Sequence, residues 1–510
     1  MTKELLIGID VGTTSTKSVL FDAQGNVLIQ AAQEYPTAYP EPNGAEQSPF
    51  DWWRATCDTL HELFADGRFD PADVAALGVS SQAPTLTPMD AAGDVLHPAL
   101  IWMDRRSEPQ CEWLRAHIGQ AEFAAISGGR IDPYFLAPKL LWYREQRADL
   151  FARTKCILQA NGYIVYRLTG TLTMDSSQGG LSLLFDGRRE LWSDKLLAEL
   201  KIDPAILPPV SRCPQIVGEI LPSAAEECGL AAGTPVIAGM VDGTAAAVEA
   251  GVTEPGDAVE MTGQSTVLMV CSSRPYQGDM LFPLGHAILD RYLVVGAQVA
   301  SGGSLRWFRD QLGEPERLAA KERNVDAFDL LARLASTSPP GANHLVFLPY
   351  MYGERSPIWD TDARGVFFGL SLATTKADLI RAVMEGAAYG LRHNLDAAAD
   401  AGFPARKLAC VGGGARSQLW NQIKADVLQR PVHVPKTATG APLGDAIVAA
   451  AAVGLYGDVK SAVLGMTSSG VEYQPNADLA EVYDALYDVY LELYPALREP
   501  FAHLAAVPND

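Results

Sequence analysis

Apolar residues at the start of the chain recur in the pattern of short strands. The sequence predicts strands over residues 5–9, 17–22 and 27–32, and it places the turn AQGN at 23–26. Strands that follow one another through such short turns form an antiparallel meander. The first strand runs into Asp10, and Gly-Thr-Thr-Ser-Thr follows it. Small residues of this kind favour a tight turn directly after a carboxylate.

Helical spacing replaces the alternating pattern from Pro49 onward. Ser48 stands at the N-cap position, Pro49 at the first helical position and Asp51 where a capping box would reach back. Two further strands and two further helices are predicted over 76–80, 85–89, 107–118 and 137–150. This alternation predicts an α/β fold with a mostly parallel sheet flanked by helices.

The second half of the chain repeats the strand–turn–strand pattern found at its beginning. A strand ends at Asp242, a helix of small residues follows, and Pro255-Gly256 has the composition of a linker. Residues 258–270 again give a strand, a Thr-Gly-Gln-Ser-Thr turn and a strand, and 408–420 give a strand that runs into glycines. We therefore predict two halves of similar plan that meet near residue 250.

Length and charge limit the classes of function. A chain of 510 residues is long for a single core, so two or more domains are expected. Lys and Arg total 40 against 61 Asp and Glu, which gives a formal charge of −21. Such an acidic protein repels nucleic acid and anionic membrane surfaces, so neither is an expected partner. An anionic ligand would need a local group of backbone N–H donors, cations or a metal.

Cysteine usage and hydropathy predict a cytoplasmic protein. The seven cysteines are scattered and form no CxxC pair, as expected for reduced thiols. The N-terminal apolar stretch is short and is interrupted by Asp10, so it is not expected to be a signal peptide. No apolar run reaches the roughly 18 residues that a transmembrane helix needs.

The opening turn has the residues of a phosphate-binding loop. Backbone N–H groups of Gly and Thr in a tight turn can point at phosphate oxygens, the hydroxyls of Thr13 and Thr14 add donors, and Lys17 can offset charge. Asp10 would repel phosphate unless Mg²⁺ lay between them. No glycine precedes the lysine, so the stretch is not a Walker A loop. Taken alone, it equally fits a plain hairpin turn with a capping aspartate.

Two stretches in the second half add to this picture. The turn at 261–266 is the same device, and two such turns could hold one polyphosphate from two sides. The three glycines at 412–414 lack GxGxxG spacing, because Ser417 stands where the last glycine belongs, so a dinucleotide fold is disfavoured. A purine or ribose lying against bare glycine backbone remains open.

Two acidic residues are candidates for acceptor chemistry. Asp242 follows a strand, where it either caps the next helix or acts as a general base on a hydroxyl. In IWMDRRS, Trp102 and Asp104 offer a ring face for a sugar and an acceptor for its hydroxyls, although a surface loop with an ion pair explains them equally well. No HExxH or GxSxG motif is present.

The motifs resemble the FGGY carbohydrate kinases over essentially the whole chain. The C-terminal signature of that family fits residues 365–385 throughout, and the N-terminal signature fits YFLAPKLLWYREQ except that Leu136 replaces a small residue. The other matching stretches are IGIDVGTTSTK, GAEQSPFDWW, ALIWMDRRS, YRLTG, GTPVIAGMVDGTAAAVEAG, MTGQSTV and VGGGARSQLWNQIKAD.

The resemblance implies an α/β fold of two actin-like (ribonuclease H-like) domains with a central cleft. It implies sugar binding and the catalytic base in residues 1–250, and nucleotide binding in 251–510. The partners it implies are ATP, Mg²⁺ and a small sugar, and a homodimer stays open. The residues it implies are Asp242 as base, Asp10 on the metal, Thr13, Thr14, Lys17, Thr262, Gly263, Gly302, Gly413, Gly414 and Ser417 on the nucleotide, and Gln82, Trp102, Asp104, Tyr134 and Asp242 on the sugar.

Within the family the sequence looks most like the xylulokinases, which makes D-xylulose the expected acceptor. Those enzymes usually have Gln-Met-His where Gln82 is followed here by Ala83-Pro84, and they often have Asn where Gly243 stands. Glycerol kinases carry Arg-Glu at the Ala83-Pro84 position, although Tyr134 matches their substrate tyrosine. Ribulose, another ketose, a polyol or a sugar acid are alternative acceptors. An actin-like ATPase and a non-catalytic sugar sensor are alternative functions.

Overall fold

The structure is a computed structural model that describes residues 3–436, 439–468 and 470–507. Its strands are β1 (Leu5–Val11), β2 (Ser15–Phe21), β3 (Val27–Glu34), β4 (Glu46–Gln47), β5 (Val74–Ser81), β6 (Thr87–Met89), β7 (Ala99–Leu100), β8 (Cys156–Leu158), β9 (Met174–Asp175), β10 (Phe185–Asp186), β11 (Leu191–Trp192), β12 (Val210–Ser211), β13 (Ile216–Glu219), β14 (Pro235–Ile237), β15 (Met240–Val241), β16 (Asp257–Thr262), β17 (Thr266–Ser272), β18 (Phe282–Gly285), β19 (Tyr292–Gln298), β20 (Val346–Leu348), β21 (Val366–Phe368), β22 (Lys407–Val411), β23 (Val432–Val434) and β24 (Val471–Tyr473).

Helices alternate with these strands along most of the chain. They are α1 (Pro49–Phe64), α2 (Glu108–His117), α3 (Gln120–Ile126), α4 (Leu136–Gln146), α5 (Ala148–Arg153), α6 (Ala160–Thr169), α7 (Ser176–Gly180), α8 (Asp194–Leu200), α9 (Pro222–Cys228), α10 (Asp242–Glu249), α11 (Ser301–Leu312), α12 (Glu314–Arg323), α13 (Ala327–Ala335), α14 (Lys376–Asp400), α15 (Gln418–Leu428), α16 (Pro442–Ala452), α17 (Val459–Met466) and α18 (Ala480–Ala505). Within the described residues, none of them is both long and apolar enough to cross a membrane.

The chain folds into two compact units, each built from separate segments. The first unit contains Met1–Pro255, Cys271–Val294 and Thr437–Ser468, and the second contains Gly256–Val270, Val295–Lys436 and Ser469–Asp510. The predicted division into 1–250 and 251–510 separates the chain by function, and it stays a prediction. The compact units divide the chain differently, because α16 and α17 come late in the sequence and yet pack in the first unit.

The sheet of the first unit is mixed, and it begins with the predicted meander. Its strand order is β13-β14-β5-β1-β2-β3, with β15 also paired to β5. β1 and β2 are antiparallel, as are β2 and β3, whereas β5 lies parallel to β1. Because β1 is central and ends at the turn after Asp10, the sheet holds that turn in a fixed place.

The second unit has a mixed sheet that repeats this arrangement. β16 and β17 form an antiparallel hairpin, and β22 lies parallel to β16 just as β5 lies parallel to β1. β23 and β24 then continue the sheet beyond β22. The α/β fold class predicted from the sequence is therefore confirmed, and each unit has a hairpin whose first strand lies beside a parallel strand.

The predicted start of α1 is correct, but its capping differs from the prediction. Ser48 precedes the helix and Pro49 opens it, yet the Ser48 side chain makes no capping hydrogen bond. Asp51 does not reach back to Ser48, because its carboxylate is bonded to Arg54 at 2.8 Å. The helix α16 has a buried stretch from Pro442 to Ala450.

α16 packs backbone to backbone on the strands and helix that carry the candidate site. A Cβ atom on Gly8 of β1 would lie 1.8 Å from the carbonyl oxygen of Pro442, and a Cβ on Gly78 of β5 would lie 2.7 Å from that of Asp445. Gly444 of α16 touches α10 in the same way, since its Cβ would lie 2.0 Å from the oxygen of Ala245. Only glycine allows such approaches.

Gly444→Ala should therefore destabilise the first unit strongly. The new methyl group would overlap the Ala245 backbone, so α10 and α16 must separate, at a cost of about 3 kcal/mol in the free energy of unfolding. Urea unfolding followed by circular dichroism measures this change. Gly457→Ala is the control, because its Cβ would meet nothing closer than Ser461 Oγ at 3.8 Å. Equal stability of the two variants would contradict the packing argument.

Candidate active site

The turn after Asp10 is held in a defined shape by its own backbone and by neighbouring side chains. Gly12 N donates to the carbonyl oxygen of Ser15 at 3.0 Å. The Tyr35 hydroxyl donates to the Gly12 carbonyl at 2.6 Å, and Gln47 Nε2 donates to the Thr13 carbonyl at 2.6 Å. Because these carbonyls are engaged from behind, the turn is fixed without help from a ligand.

The side chains of the turn differ in what they leave exposed. Thr13 Oγ1 accepts from Trp102 Nε1 at 2.9 Å, so this hydroxyl is oriented by the indole. Thr14 is exposed, and Lys17 lies opposite Asp10 in the β1–β2 register. The predicted group of Asp10, Thr13, Thr14 and Lys17 is thus brought together by one hairpin.

Asp242 joins this group as the first residue of α10. Its Oδ1 accepts the N–H of Gly243 at 2.6 Å, and burial raises the pKa of its carboxyl. Burial also raises the pKa of Asp10, and the neighbouring Asp242 charge raises it further, while Lys17 opposes the change. Two carboxyl groups are therefore held near each other where water shields them poorly.

Asp10 fits a role as a ligand of Mg²⁺. Its Oδ1 is buried and has no hydrogen-bond partner among the described residues, which leaves an oxygen of the kind that Mg²⁺ prefers. Among the described residues, no group of three or more His, Cys, Asp or Glu could hold a metal by themselves. A single carboxylate beside a phosphate-binding turn suits Mg²⁺, because this ion is usually held by one or two carboxylates together with phosphate oxygens.

Gln82 follows β5 and lies beneath the same turn. Its Nε2 donates to Gln47 Oε1 at 2.6 Å and to the Gly12 carbonyl at 3.2 Å. Its Oε1 is buried and has no hydrogen-bond partner in the part of the chain that the structure describes, so the amide offers one acceptor. The Tyr134 hydroxyl donates to the carbonyl of Ala83 at 2.8 Å, which ties this tyrosine to the residue after Gln82.

Asp104 forms an ion pair with Arg106, which is the alternative that the sequence left open. It is 0% exposed, and its Oδ2 accepts from Ala45 N at 2.9 Å and from Arg106 Nε at 2.8 Å. Its Oδ1 accepts the backbone N–H of Arg106 at 3.2 Å. Both carboxylate oxygens of Asp104 are hydrogen-bonded and inaccessible in this structure. A sugar could therefore contact them only after these hydrogen bonds break. The carboxylate holds the loop that presents Trp102.

The same loop is supported by a buried lysine. Lys139 is 0% exposed, and its Nζ donates to the carbonyls of Asp104 at 2.9 Å, Tyr134 at 3.1 Å and Pro133. Burial lowers the pKa of Lys139 to about 8. Lys139 thus ties the Trp102 loop to the Tyr134 loop.

In the second unit, Thr262 belongs to a buried chain of side chains. Lys424 of α15 is paired with Glu260 Oε1, and Glu260 Oε2 accepts from Thr262 Oγ1 at 2.5 Å. Thr262 Oγ1 lies 2.8 Å from Thr266 Oγ1, which lies 2.6 Å from Ser301 Oγ. A carboxylate only accepts, so the single proton of the Thr262 hydroxyl is given to Glu260. The hydroxyl is then not a donor for phosphate. The N–H of Gly263 is also engaged, because it donates to the carbonyl oxygen of Ser265 at 2.8 Å.

The predicted glycines of the second unit surround Thr262. A Cβ on Gly302 would lie 2.0 Å from the Gly263 carbonyl oxygen, and one on Gly414 would lie 2.7 Å from Thr262 Cγ2. Gly263 and Gly413 are exposed, and Gly263 has open space around its missing Cβ. Ser417 is the N-cap of α15 and accepts from Trp420 N at 3.3 Å. These residues form an exposed, glycine-lined surface that side chains do not cover.

The comparisons with known proteins agree with this arrangement. Residues 5–249 match the N-terminal domain of the FGGY family of carbohydrate kinases, and residues 259–453 match its C-terminal domain. A xylulose kinase of Staphylococcus epidermidis is 30% identical over 511 residues, which cover 100% of both chains. The chain belongs to the FGGY family of carbohydrate kinases. It is therefore a phosphotransferase that acts on an alcohol group.

Other FGGY kinases resemble it nearly as closely. A gluconokinase of Bacillus subtilis is 28% identical and covers 98% of this chain and 97% of its own. The crystal structure of a xylulose kinase from Rhodospirillum rubrum superposes with a TM-score of 0.90 at 30% identity, covering 98% of this chain and 100% of the other. The two-unit α/β architecture expected from the motifs is thus that of the family.

Sequence reasoning missed several residues of this FGGY kinase that hold the site together. Gln47 lies in the stretch GAEQSPFDWW, which was matched as a motif without a role. Glu249, Thr439 and Asp445 gave no signal, because they lie far from the turn in sequence or within a run of small residues. Asp445 Oδ2 accepts from Ser80 Oγ at 2.6 Å, and burial raises its pKa well above the ordinary value.

Asp10→Asn should stabilise the FGGY kinase, free of nucleotide and metal, against unfolding at neutral pH. The folded-state pKa of Asp10 is raised, so the folded protein keeps a proton that the unfolded chain releases, and stability falls as pH rises from the ordinary pKa of 3.8 through the folded value. The asparagine removes this cost, so we expect a gain on the order of 1 kcal/mol at pH 7. Urea unfolding at pH 7 without nucleotide or metal measures it.

The gain should shrink toward pH 4, where the unfolded wild-type chain also binds this proton and the pH-dependent cost of folding disappears. Glu226→Gln, which removes an exposed carboxylate, is the control and should leave stability unchanged. Destabilisation by Asp10→Asn at pH 7 would show that its carboxylate is not under electrostatic strain.

Proposed function

We propose that this FGGY kinase transfers the γ-phosphoryl group of ATP to a hydroxyl of a ketose, with D-xylulose as the preferred acceptor. The observation that carries the proposal is the pair formed by Asp10 and Asp242. One carboxylate has an unpaired oxygen suited to a cation, the other begins a helix, and both lie beside a turn with exposed small residues.

Asp242 is the proposed general base. Its raised pKa makes the carboxylate a better proton acceptor than an ordinary aspartate, and it still remains ionised near neutral pH. It would orient the acceptor hydroxyl and take its proton as the phosphoryl group is transferred. Asp10 would hold Mg²⁺, which when bound offsets negative charge on the phosphates.

The remaining predicted residues are assigned to the two ends of the nucleotide. Thr13, Thr14 and Lys17 would contact the transferring phosphate, since the turn is fixed in advance and costs no reorganisation. In the second unit, the turn that contains Thr262 and Gly263 would lie against the inner phosphates. Gly302, Gly413, Gly414 and Ser417 would line the adenosine, because bare glycine backbone lets a base and ribose approach closely.

Engaged cations support an uncharged acceptor over a sugar acid. Arg106 is paired with Asp104, Glu46 and Glu41 at 2.7, 2.6 and 2.9 Å, and Arg105 with Asp132 at 3.1 Å. The Nζ of Lys139 donates to three carbonyl oxygens. All three cations are already engaged and so do not offer a partner to the carboxylate of a substrate. A sugar acid needs a cation of this kind. Gln82 Oε1 and the ring of Trp102 suit a neutral sugar instead.

The site is consistent with a cytoplasmic enzyme that uses a small sugar and ATP. All seven cysteines are buried, and their scattered positions suit reduced thiols. An actin-like ATPase without sugar kinase activity is the alternative. Stimulation of ADP release by a sugar distinguishes the two functions, because an ATPase of that class needs no acceptor.

Asp242→Asn should abolish most turnover and leave nucleotide binding intact. The amide cannot accept the hydroxyl proton, so we expect kcat with D-xylulose to fall by a factor of 10² to 10⁴. A coupled assay for ADP measures turnover, and calorimetry measures the Kd for Mg-ADP. The isosteric change should move that Kd less than threefold.

The control is Glu226→Gln, which changes an exposed carboxylate of the same unit and should retain full activity. Wild-type turnover by Asp242→Asn would remove Asp242 from the role of base. Loss of both turnover and nucleotide binding would point to a structural defect in its place.

The acceptor is tested with a panel of D-xylulose, D-ribulose, glycerol and D-gluconate. Because the nearby cations are paired, kcat/KM for gluconate should be at least about tenfold below that for D-xylulose. A coupled assay for ADP at several concentrations of each sugar gives the ratios. A higher kcat/KM for gluconate would contradict the argument from charge.

A further inference from the structure

Lys17 is held in place by a residue from a distant part of the chain. Its Nζ donates to the carbonyl oxygen of Thr439 at 2.8 Å, although the two residues are 422 positions apart. Both belong to the first unit, and Thr439 comes just before α16. An ammonium group has three donors, so this bond leaves donors for a phosphate while it fixes where the charge lies.

Thr439 is in turn held by Glu249, the last residue of α10. The backbone N–H of Thr439 donates to Glu249 Oε1, and the Thr439 hydroxyl donates to Glu249 Oε2 at 2.9 Å. The same hydroxyl oxygen accepts from Leu443 N at 2.9 Å, which secures the start of α16. Glu249 therefore accepts hydrogen bonds from both donors of Thr439, while the carbonyl of Thr439 accepts from Lys17.

The burial of the Glu249 carboxylate is unfavourable unless neighbouring donors and cations compensate its charge. Glu249 is 4% exposed, and burial raises its pKa, an effect that the N–H groups of Thr439 and Gly440 and the charge of Lys17 oppose. The groups that face it are thus Thr439, Gly440 and Lys17, with Asp10 and Asp445 close enough to interact through charge. Replacing Glu249 alone with an apolar residue would leave the N–H and hydroxyl donors of Thr439 without their acceptor, which is unfavourable for buried groups.

Glu249 also shares a helix with the proposed base. Asp242 begins α10 and Glu249 ends it, and seven residues make about two turns, so both lie on one helix face. The same short helix thus places the carboxylate assigned to the acceptor and anchors, through Thr439, the cation assigned to the phosphate.

We propose that Glu249 is a positioning residue that acts through Thr439 to fix the ammonium group of Lys17 for phosphoryl transfer. The proposal rests on the proposed function for what Lys17 does. A purely structural role, in which Glu249 only secures the start of α16, is the competing explanation.

A double-mutant cycle separates these two explanations. Glu249→Gln keeps the shape but replaces one acceptor oxygen with an NH₂ group, so Thr439 should shift and kcat should fall about tenfold. If Glu249 acts through Lys17, the same change made in a Lys17→Met background should alter kcat by less than twofold. An equal tenfold loss in both backgrounds, or no loss in either, would overturn the proposal.

A second readout does not depend on kinase activity. The rate at which an amine-acylating reagent modifies Lys17, followed by peptide mass spectrometry without nucleotide, reports how tightly its amine is held. We expect Glu249→Gln to raise this rate severalfold over wild type. An unchanged rate would show that Glu249 does not hold Lys17, whatever the enzyme catalyses. If wild type phosphorylates no acceptor at all, the proposed function fails while this test still decides the contact.

Two further variants complete the experiment. Thr439→Val removes the hydroxyl and keeps the backbone N–H, so it should give a smaller increase in Lys17 modification and a smaller loss of kcat than Glu249→Gln. It also decides the question if Glu249→Gln fails to fold. Glu226→Gln, an exposed carboxylate of the same unit, should match wild type in both measurements.

Discussion

The account depends on the repulsion between two carboxylates that the first unit keeps together. Asp10 and Asp242 would move apart if the backbone around them could yield. The close contacts of Gly8, Gly78 and Gly444 prevent this, because α16 touches β1, β5 and α10 through main-chain atoms that have no room to move. The packing of α16 thus holds an unfavourable arrangement of charges in place. Such arrangements are common where a protein binds a cation and carries out proton transfer.

The second unit uses charge differently to hold its own turn. There a buried ion pair, Glu260 with Lys424, directs a row of hydroxyls so that Thr262 gives its proton away from solvent. Each unit therefore fixes a hairpin turn by hydrogen bonds from neighbouring groups and leaves small residues, Thr14 and Gly263, on the exposed side. A turn prepared in this way loses little entropy when it binds phosphate.

The sequence predicted the main elements because their signals are local. The hairpin after Asp10, the strand before Asp242 and the glycines at 412–414 are each written in a few neighbouring residues. Gln47, Glu249 and Thr439 were not predictable, because their importance comes from tertiary contacts across tens to hundreds of positions. Asp104 shows another limit: an aspartate beside tryptophan and arginine fitted a sugar contact and an ion pair equally well, and only the folded chain shows its carboxylate bonded to Ala45 and Arg106. Composition limited the partners and could not choose the acceptor.

The pH dependence of kcat at saturating ATP, Mg²⁺ and D-xylulose tests the central claim most directly. If the partly desolvated carboxyl group of Asp242 takes the acceptor proton, kcat should fall tenfold for each pH unit on the acid side, with a midpoint above the ordinary aspartate value of 3.8. Asp242→Asn should lose this acid limb and retain only a low, flat rate. A kcat in the wild type that stays constant down to pH 4, in protein shown to be folded there, would contradict the account.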